Sequence, residues 1–261
     1  FGSSLGSKCK LPVGIALCCA DFLHSAMGKP QGPGVRKDHW QKGPQASYEN
    51  EQVSRQLSSV LRHRAAELGL YVRPDGYVKL SEVLELEFFA SRSIQEKQIR
   101  YLVNTNEKKR FGLCIPDGED ELHIRAHQGH SMREVKDGCL LDRVQSADEI
   151  PDLCHGTFSH LWPQIEQEGL KAMDRNHIHC VNVDLTQEEN QQVVISGTRG
   201  EYDVVVFIDA AKAMAEGILF YWSENNVVLT SGRKKVLPPH LFSRVAWIDW
   251  EQDPAVWVEA E

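Results

Sequence analysis

Hydrophobic residues first recur along this chain at helical spacing. Val53, Leu57, Val60, Leu61, Ala65 and Leu68 predict an amphipathic helix that starts near residue 50 and ends near Gly69. At about 100° per residue, Arg62 and His63 fall off that stripe and point away from the helix's own core face. The next stretch, "RPDGYVKLSEVLEL", predicts a Pro-Asp-Gly turn, a short alternating strand and a helix capped by Ser81. In "SIQEKQIRYLVNTN", a capping box from Ser93 to Glu96 precedes an apolar face of Ile99, Leu102 and Val103. "FGLCI" and "ELHIRA" then alternate at period two across "PDGED", the pattern of a β-hairpin. Helices followed by such a hairpin suggest a winged-helix-like lobe.

The second half has a different pattern. "EYDVVVFID" is a continuous apolar strand, "AAKAMAEG" a short helix closed by Gly217, and "FYWSENNVVLT" a hairpin whose Asn226 can take a positive-φ turn position. "LWPQIEQEGL" predicts another short helix. The fold class expected is α+β, with residues 50–145 as the winged-helix-like lobe and 146–250 as a strand-rich lobe. The active site would lie in the cleft between them. Residues 1–49 are expected to be disordered, because "MGKPQGPGVRKDHWQKGPQ" cannot bury enough surface to fold, and 251–261 form a tail.

Charge changes this picture in one respect. The net charge of −8 argues against bulk electrostatic attraction to nucleic acid, so an anionic partner must meet a local basic site. Residues 51–114 carry 11 Lys and Arg against 8 Asp and Glu, a net of +3, whereas 200–261 carry 5 against 10, a net of −5. The first lobe is therefore the better candidate to meet a phosphate backbone. The 7 cysteines form no C-x-x-C pair, which suggests reduced thiols in a cytoplasmic or nuclear protein and no structural zinc. No run approaches a membrane span.

The chemistry-bearing residues concentrate in "DELHIRAHQGHS". Leu122, Ile124 and Ala126 alternate with His123, Arg125 and His127, so Arg125 sits on a cationic, titratable face, with His123 expected on the strand surface. Motifs for other chemistries are absent: no G-x-G-x-x-G after a strand, no G-x-x-x-x-G-K-[ST], no G-x-S-x-G and no H-E-x-x-H. His177 and His179 in "NHIHC" could share a strand face, but no third metal ligand lies near them in sequence.

Taken in order, "LRHRAAELGL", "DGYVKL", "IRAHQGHS", "CHGTF", "GLKAMDRNHIHC", "SGTRGEYDVVVFID" and "FYWSENNVVLTSG" resemble the RNA 2′-phosphotransferase family, over about residues 54–242. The resemblance implies an RNA-binding winged-helix lobe joined to an ADP-ribosyltransferase-like lobe that binds NAD. It also implies a two-step reaction. The RNA 2′-phosphate displaces nicotinamide from NAD to leave an ADP-ribosylated RNA phosphate. The neighbouring 2″-hydroxyl then releases 2′-OH RNA and ADP-ribose 1″,2″-cyclic phosphate.

By resemblance, Arg62, His63, Arg125 and Arg199 form the catalytic set. His155, Gly156, Thr157, His177, His179 and Ser223 contact NAD, and Gln128 and His130 shape the substrate site. Arginine suits phosphate because its fork binds two oxygens and stays charged. The chain departs from the family's usual Asn, Arg, Gly and Pro at His127, Trp222, Asn226 and Ser231. The expected partner is an RNA bearing a 2′-phosphate, notably tRNA, met by a monomer with no membrane association. Two other readings are a transferase that caps nucleic-acid terminal phosphates with ADP-ribose and a non-catalytic RNA-binding protein.

Overall fold

A computed structural model describes residues 44–193, 196–198, 202–249, 251–252 and 256–259. Arg199 and residues 1–43 lie outside these described residues. The fold is α+β, as the patterning predicts.

The first lobe opens with helix α1 (Pro44–Ser59), which runs directly into one turn of π-helix at Val60–Arg64. It begins ahead of the predicted start, inside the segment expected to be disordered. Strand β1 (Val78–Lys79), helices α2 (Leu80–Glu85), α3 (Glu87–Ala90) and α4 (Glu96–Thr105), and strands β2 (Phe111–Cys114) and β3 (His123–Ala126) follow. The three strands form an antiparallel sheet in the order β1-β3-β2, with Val78 opposite Ile124 and Leu113 opposite Ile124 on the other side. Leu57, Leu61, Val83, Phe89, Ile99 and Ile124 make its core, so the predicted helical stripe and the apolar strand face do meet.

Two predicted caps are corrected. Ser81 lies inside α2, whose N-cap is Lys79, and its hydroxyl bonds Glu121 Oε2 at 2.9 Å. The box at α4 joins Gln95 and Gln98, because Ser93 is taken up at φ 51 in closing the previous turn on Ala90.

Helix α5 (Asp137–Leu140) and strand β4 (Asp142–Arg143) lead into the second lobe. It continues with β5 (Leu153–Thr157), α6 (Trp162–Glu168), β6 (Leu170–Lys171), β7 (Ile178–Asn182), α7 (Glu188–Val193), β8 (Val204–Ile208), α8 (Ala210–Ala215), β9 (Tyr221–Trp222), β10 (Val228–Thr230), β11 (Val236–Leu237), β12 (Phe242–Asp249) and β13 (Val256–Glu259). Eight strands form one sheet, ordered β13-β12-β8-β5-β7-β10-β9-β4, and every pair in it is antiparallel. β8 is buried at every position, as its unbroken apolar run predicts, because it lies between β5 and β12 under cover on both faces. The hairpin β9–β10 forms as predicted, with Asn226 at φ 58 in its turn. The C-terminal segment packs: β12 pairs with both β8 and β13, and Trp247 meets Trp162 edge-on at 5.5 Å.

Two glycines separate strain from close approach. Gly169 ends α6 at φ 83, where a Cβ would lie 2.3 Å from the Leu237 carbonyl of β11. Gly217 has nearly the same φ, 84, with nothing within 4 Å. Gly217→Ala should cost about 1 kcal/mol, from backbone strain alone. Gly169→Ala should cost roughly 3 kcal/mol, because strand β11 must also shift. Urea midpoints for the two variants check this, and equal losses would count against the close approach.

Candidate active site

The π-turn determines where the first two candidate residues go. Its wider ring, closed by Ala65 N bonding Val60 O at 2.8 Å, interrupts the 100° phase on which the outward reading of Arg62 depended. His63 is exposed, as predicted. Arg62 instead turns partly inward and packs against Gly129: a Cβ there would meet Arg62 Cδ and Nε at 3.4 Å. Gly129 itself holds φ 87, so a side chain is disfavoured at that point twice over. Arg62 Nε is buried without a hydrogen-bond partner. Burial, then the nearby Arg175 and Arg110, lower its pKa to about 10, which still leaves it charged at neutral pH.

Strand β3 delivers the third residue. It is central in its sheet, paired along both edges, and the expectation of a surface His123 is overturned: that residue is 2% exposed. The face carrying Arg125 meets the second lobe instead of solvent. Arg125 stacks over Tyr77 with its Cζ 4.5 Å from the ring centroid, and its Nη1 donates to Asp75 O at 3.1 Å. Nη2 donates to Glu224 Oε2 at 2.8 Å across the lobe junction, and Nε is buried without a partner. His127 Nδ1 approaches the same carboxylate oxygen at 3.0 Å, an ion-pair distance without hydrogen-bond alignment. Between His127 and Arg125, Glu224 is held as a carboxylate with its pKa down to about 2.

Around these residues lies a set of histidines, two of which, His130 and His179, burial holds well below their ordinary pKa. His130 is buried, its Nε2 has no partner, and burial followed by the charges of Arg62, His177 and Arg125 lowers its pKa to about 3. His179, on β7, is pushed well below the ordinary range chiefly by burial, with Arg175 next. Its Nε2 lies 2.5 Å from Gln128 Oε1, so Nε2 carries the proton. His177 Nε2 approaches Asp137 Oδ1 at 3.1 Å. His63 Nδ1 pairs with Ser131 Oγ at 2.9 Å, and burial with the neighbouring Arg62 lowers its pKa below 6.5. It can accept a proton at neutral pH.

The second lobe places the remaining predicted residues nearby. His155 Nδ1 donates to the His179 carbonyl at 2.7 Å, tying β5 to β7 beside the Gln128 contact. Gly156 is required by packing: a Cβ would meet Tyr202 Cγ at 2.9 Å. Thr157 is buried, with its carbonyl accepting from Asp203 N. The Ser223 hydroxyl serves the β9–β10 turn, bonding both Asn225 Oδ1 and the Val227 backbone. The structure thus brings Arg62, His63, Arg125, Gln128, His130, His177 and His179 to one junction.

Sequence reasoning missed three contributors. Glu224 is a counter-charge from the other lobe, and its acidic type near "SEN" gave no such signal. Arg110 and Arg175 lie within electrostatic range of Arg62, one from each lobe. Beside Glu224 opens a cleft of about 480 Å³, lined from the first lobe by Glu107, Lys108 and Lys109 and from the second by Trp222 and Asn226 among others. Among the described residues no three His, Cys, Asp or Glu side chains gather to hold a metal, and no helix is long and apolar enough to cross a membrane.

Residues 48–232 match the family described as RNA 2′-phosphotransferase, Tpt1 / KptA family. tRNA 2′-phosphotransferase 1 of Danio rerio is 42% identical over 194 residues, covering 74% of this chain and 83% of that protein. The human protein of the same name is 38% identical over 190 residues, 72% of each chain. A relative from Schizosaccharomyces pombe is 42% identical over 198 residues, covering 76% of this chain but 52% of its own, so this chain spans about half the length of that relative.

Neutral buried histidines tie stability to pH. The unfolded state binds a proton on His130 below about pH 6.5, while the folded state does not until about pH 3. Its contribution is therefore complete above 6.5 and lost as pH falls toward 3. His130→Asn should flatten the stability curve across that window by up to one proton, about 1.4 kcal/mol per pH unit. Denaturant titrations at stepped pH measure the slope; an unchanged slope would show that His130 already titrates normally.

Proposed function

The chain belongs to the RNA 2′-phosphotransferase, Tpt1 / KptA family, and on that premise we propose that it removes an internal 2′-phosphate from RNA, with NAD consumed as acceptor. In this reading the first lobe is winged-helix-like and holds RNA, while the second is ADP-ribosyltransferase-like and holds the dinucleotide. A spliced tRNA in the cytoplasm or nucleus is the proposed partner, met by a monomer.

One observation carries the reading. Arg62 and Arg125 each keep a buried Nε without a partner, and the outer nitrogen of Arg125 is occupied only by a carboxylate from the other lobe. Clustered, desolvated guanidinium groups repel one another, and an anion with three oxygens relieves that repulsion better than a single carboxylate oxygen does. Arg125 can offer Nη2 and Nε together to two phosphate oxygens once Glu224 moves aside, and Arg62 can take another. His63, lowered below 6.5 and exposed, is placed to accept and return a proton at the same phosphate. Arg199, assigned by resemblance to the phosphate as it meets the ribose, stays part of the proposal.

The residues present fit a dinucleotide. The cleft adjoining Arg125 has an aromatic wall in Trp222 and a cationic rim in Lys108 and Lys109, which suit a ring and a pyrophosphate. His155, Thr157, His177 and His179 line the neighbouring strands as its remaining contacts. When bound, NAD supplies an electrophilic ribose carbon with a nicotinamide leaving group. The products are then 2′-OH RNA, nicotinamide and ADP-ribose 1″,2″-cyclic phosphate.

The test is incubation with a short RNA carrying one internal 2′-phosphate, with and without NAD. Conversion to 2′-OH RNA only when NAD is present is expected, with the cyclic phosphate appearing alongside. Arg125→Ala and His63→Ala should each slow conversion on the order of 10²-fold or more. ADP-ribosylated RNA as the end product would favour terminal capping instead, and RNA binding without nicotinamide release would favour a non-catalytic role.

A further inference from the structure

Lys108 and Lys109 sit in the turn between α4 and β2, on the first lobe, yet line the cleft opposite Trp222 and Asn226 of the second. Their backbone is held firmly. The Lys108 carbonyl accepts from Ser196 Oγ at 2.9 Å and from Asn225 Nδ2 at 3.1 Å, both second-lobe groups. Lys109 holds φ 41, a conformation that costs a non-glycine residue on the order of 1 kcal/mol. Neither ammonium has a hydrogen-bonding or ionic partner among the described residues, in a chain whose net charge is −8. Two unpaired cations on an anchored turn, lining the same cleft as an aromatic side chain, suit a phosphate and a ring.

The cleft also has a direction. Glu224 lines it and at the same time touches Arg125, so its inner end opens onto the phosphate grip. Glu107 stands on the rim with the lysines, whereas the charge of Glu224 is already answered by Arg125. A volume of about 480 Å³ suits a bound small molecule more than a polymer strand running across the surface.

We infer that this cleft is a dinucleotide subsite shared by the two lobes, in which Lys108 and Lys109 of the first lobe hold the pyrophosphate while Trp222 of the second stacks on a ring. The inference rests on the NAD reading above and extends it: the lobe assigned to RNA also grips the dinucleotide. Trp222 is partly buried and braced by pairing with Asp142 and Val228, so its ring offers a fixed surface to a planar ligand. The lysines are exposed, so replacing them does not disturb the core.

Calorimetric titration of the full chain with NAD, ADP-ribose and a short 2′-phosphorylated RNA tests this. Against wild type, K108Q/K109Q should bind both NAD and ADP-ribose on the order of tenfold more weakly, with RNA affinity changed by less than about threefold. Trp222→Tyr should keep dinucleotide affinity and Trp222→Ala lose it. Unchanged dinucleotide binding in K108Q/K109Q, or weakening confined to RNA, overturns the shared subsite. Wild type that binds neither NAD nor ADP-ribose overturns the NAD reading itself, an outcome the RNA titration separates from a misfolded sample.

Discussion

The contact between Arg125 and Glu224 joins the two lobes where the chemistry is proposed to occur, and much of the site is arranged around the charge it balances. Arg125 is fixed on three sides, by the Tyr77 ring, the Asp75 carbonyl and its own strand, so only the edge facing Glu224 is exchangeable. Arg62, with Arg110 and Arg175 in electrostatic range of it, adds further positive charge to the same junction. A carboxylate supplied by the partner lobe meets this need in the free protein. A phosphate meets it with more charge and more acceptor oxygens.

The histidines follow from the same crowding. An imidazole placed among guanidinium groups and taken from water keeps its neutral form, and neutral rings can be packed densely without adding to the repulsion. His130 therefore acts as a filler, and His179 as a hydrogen-bonding spacer that links Gln128 of one lobe with β5 of the other. His63, at the exposed edge, is lowered by partial burial and Arg62 but stays open to exchange protons. The same residue type serves two purposes, decided by depth.

The π-turn at Val60–Arg64 accounts for another part of the geometry. One extra residue in the turn rotates Arg62 toward Gly129 while leaving Leu61 in the core and His63 at the surface. A regular helix would have carried both polar residues outward together, and Gly129 at φ 87 leaves the room that the rotated side chain occupies.

Local patterning determined most of the elements: the helical stripe from Val53 to Ala65, the hairpin of β2 and β3, the buried run of β8 and the Asn226 turn are all legible as period and turn chemistry. These depend on neighbours a few residues apart, which the sequence displays directly. The arginines assigned to phosphate by resemblance stand out by motif order, whereas the π-turn and the caps at Lys79 and Gln95 do not, because competing local hydrogen bonds decide them. What only the tertiary structure decided is what meets the polar face of β3. Period two assigns His123, Arg125 and His127 to one side of a strand, but whether water, a sheet or another lobe covers that side depends on residues 99 positions away, such as Glu224 against Arg125. Charge pairing at that separation leaves no periodic trace in the chain, since any acidic residue at the β9–β10 turn would read the same until folding brings it to the arginine.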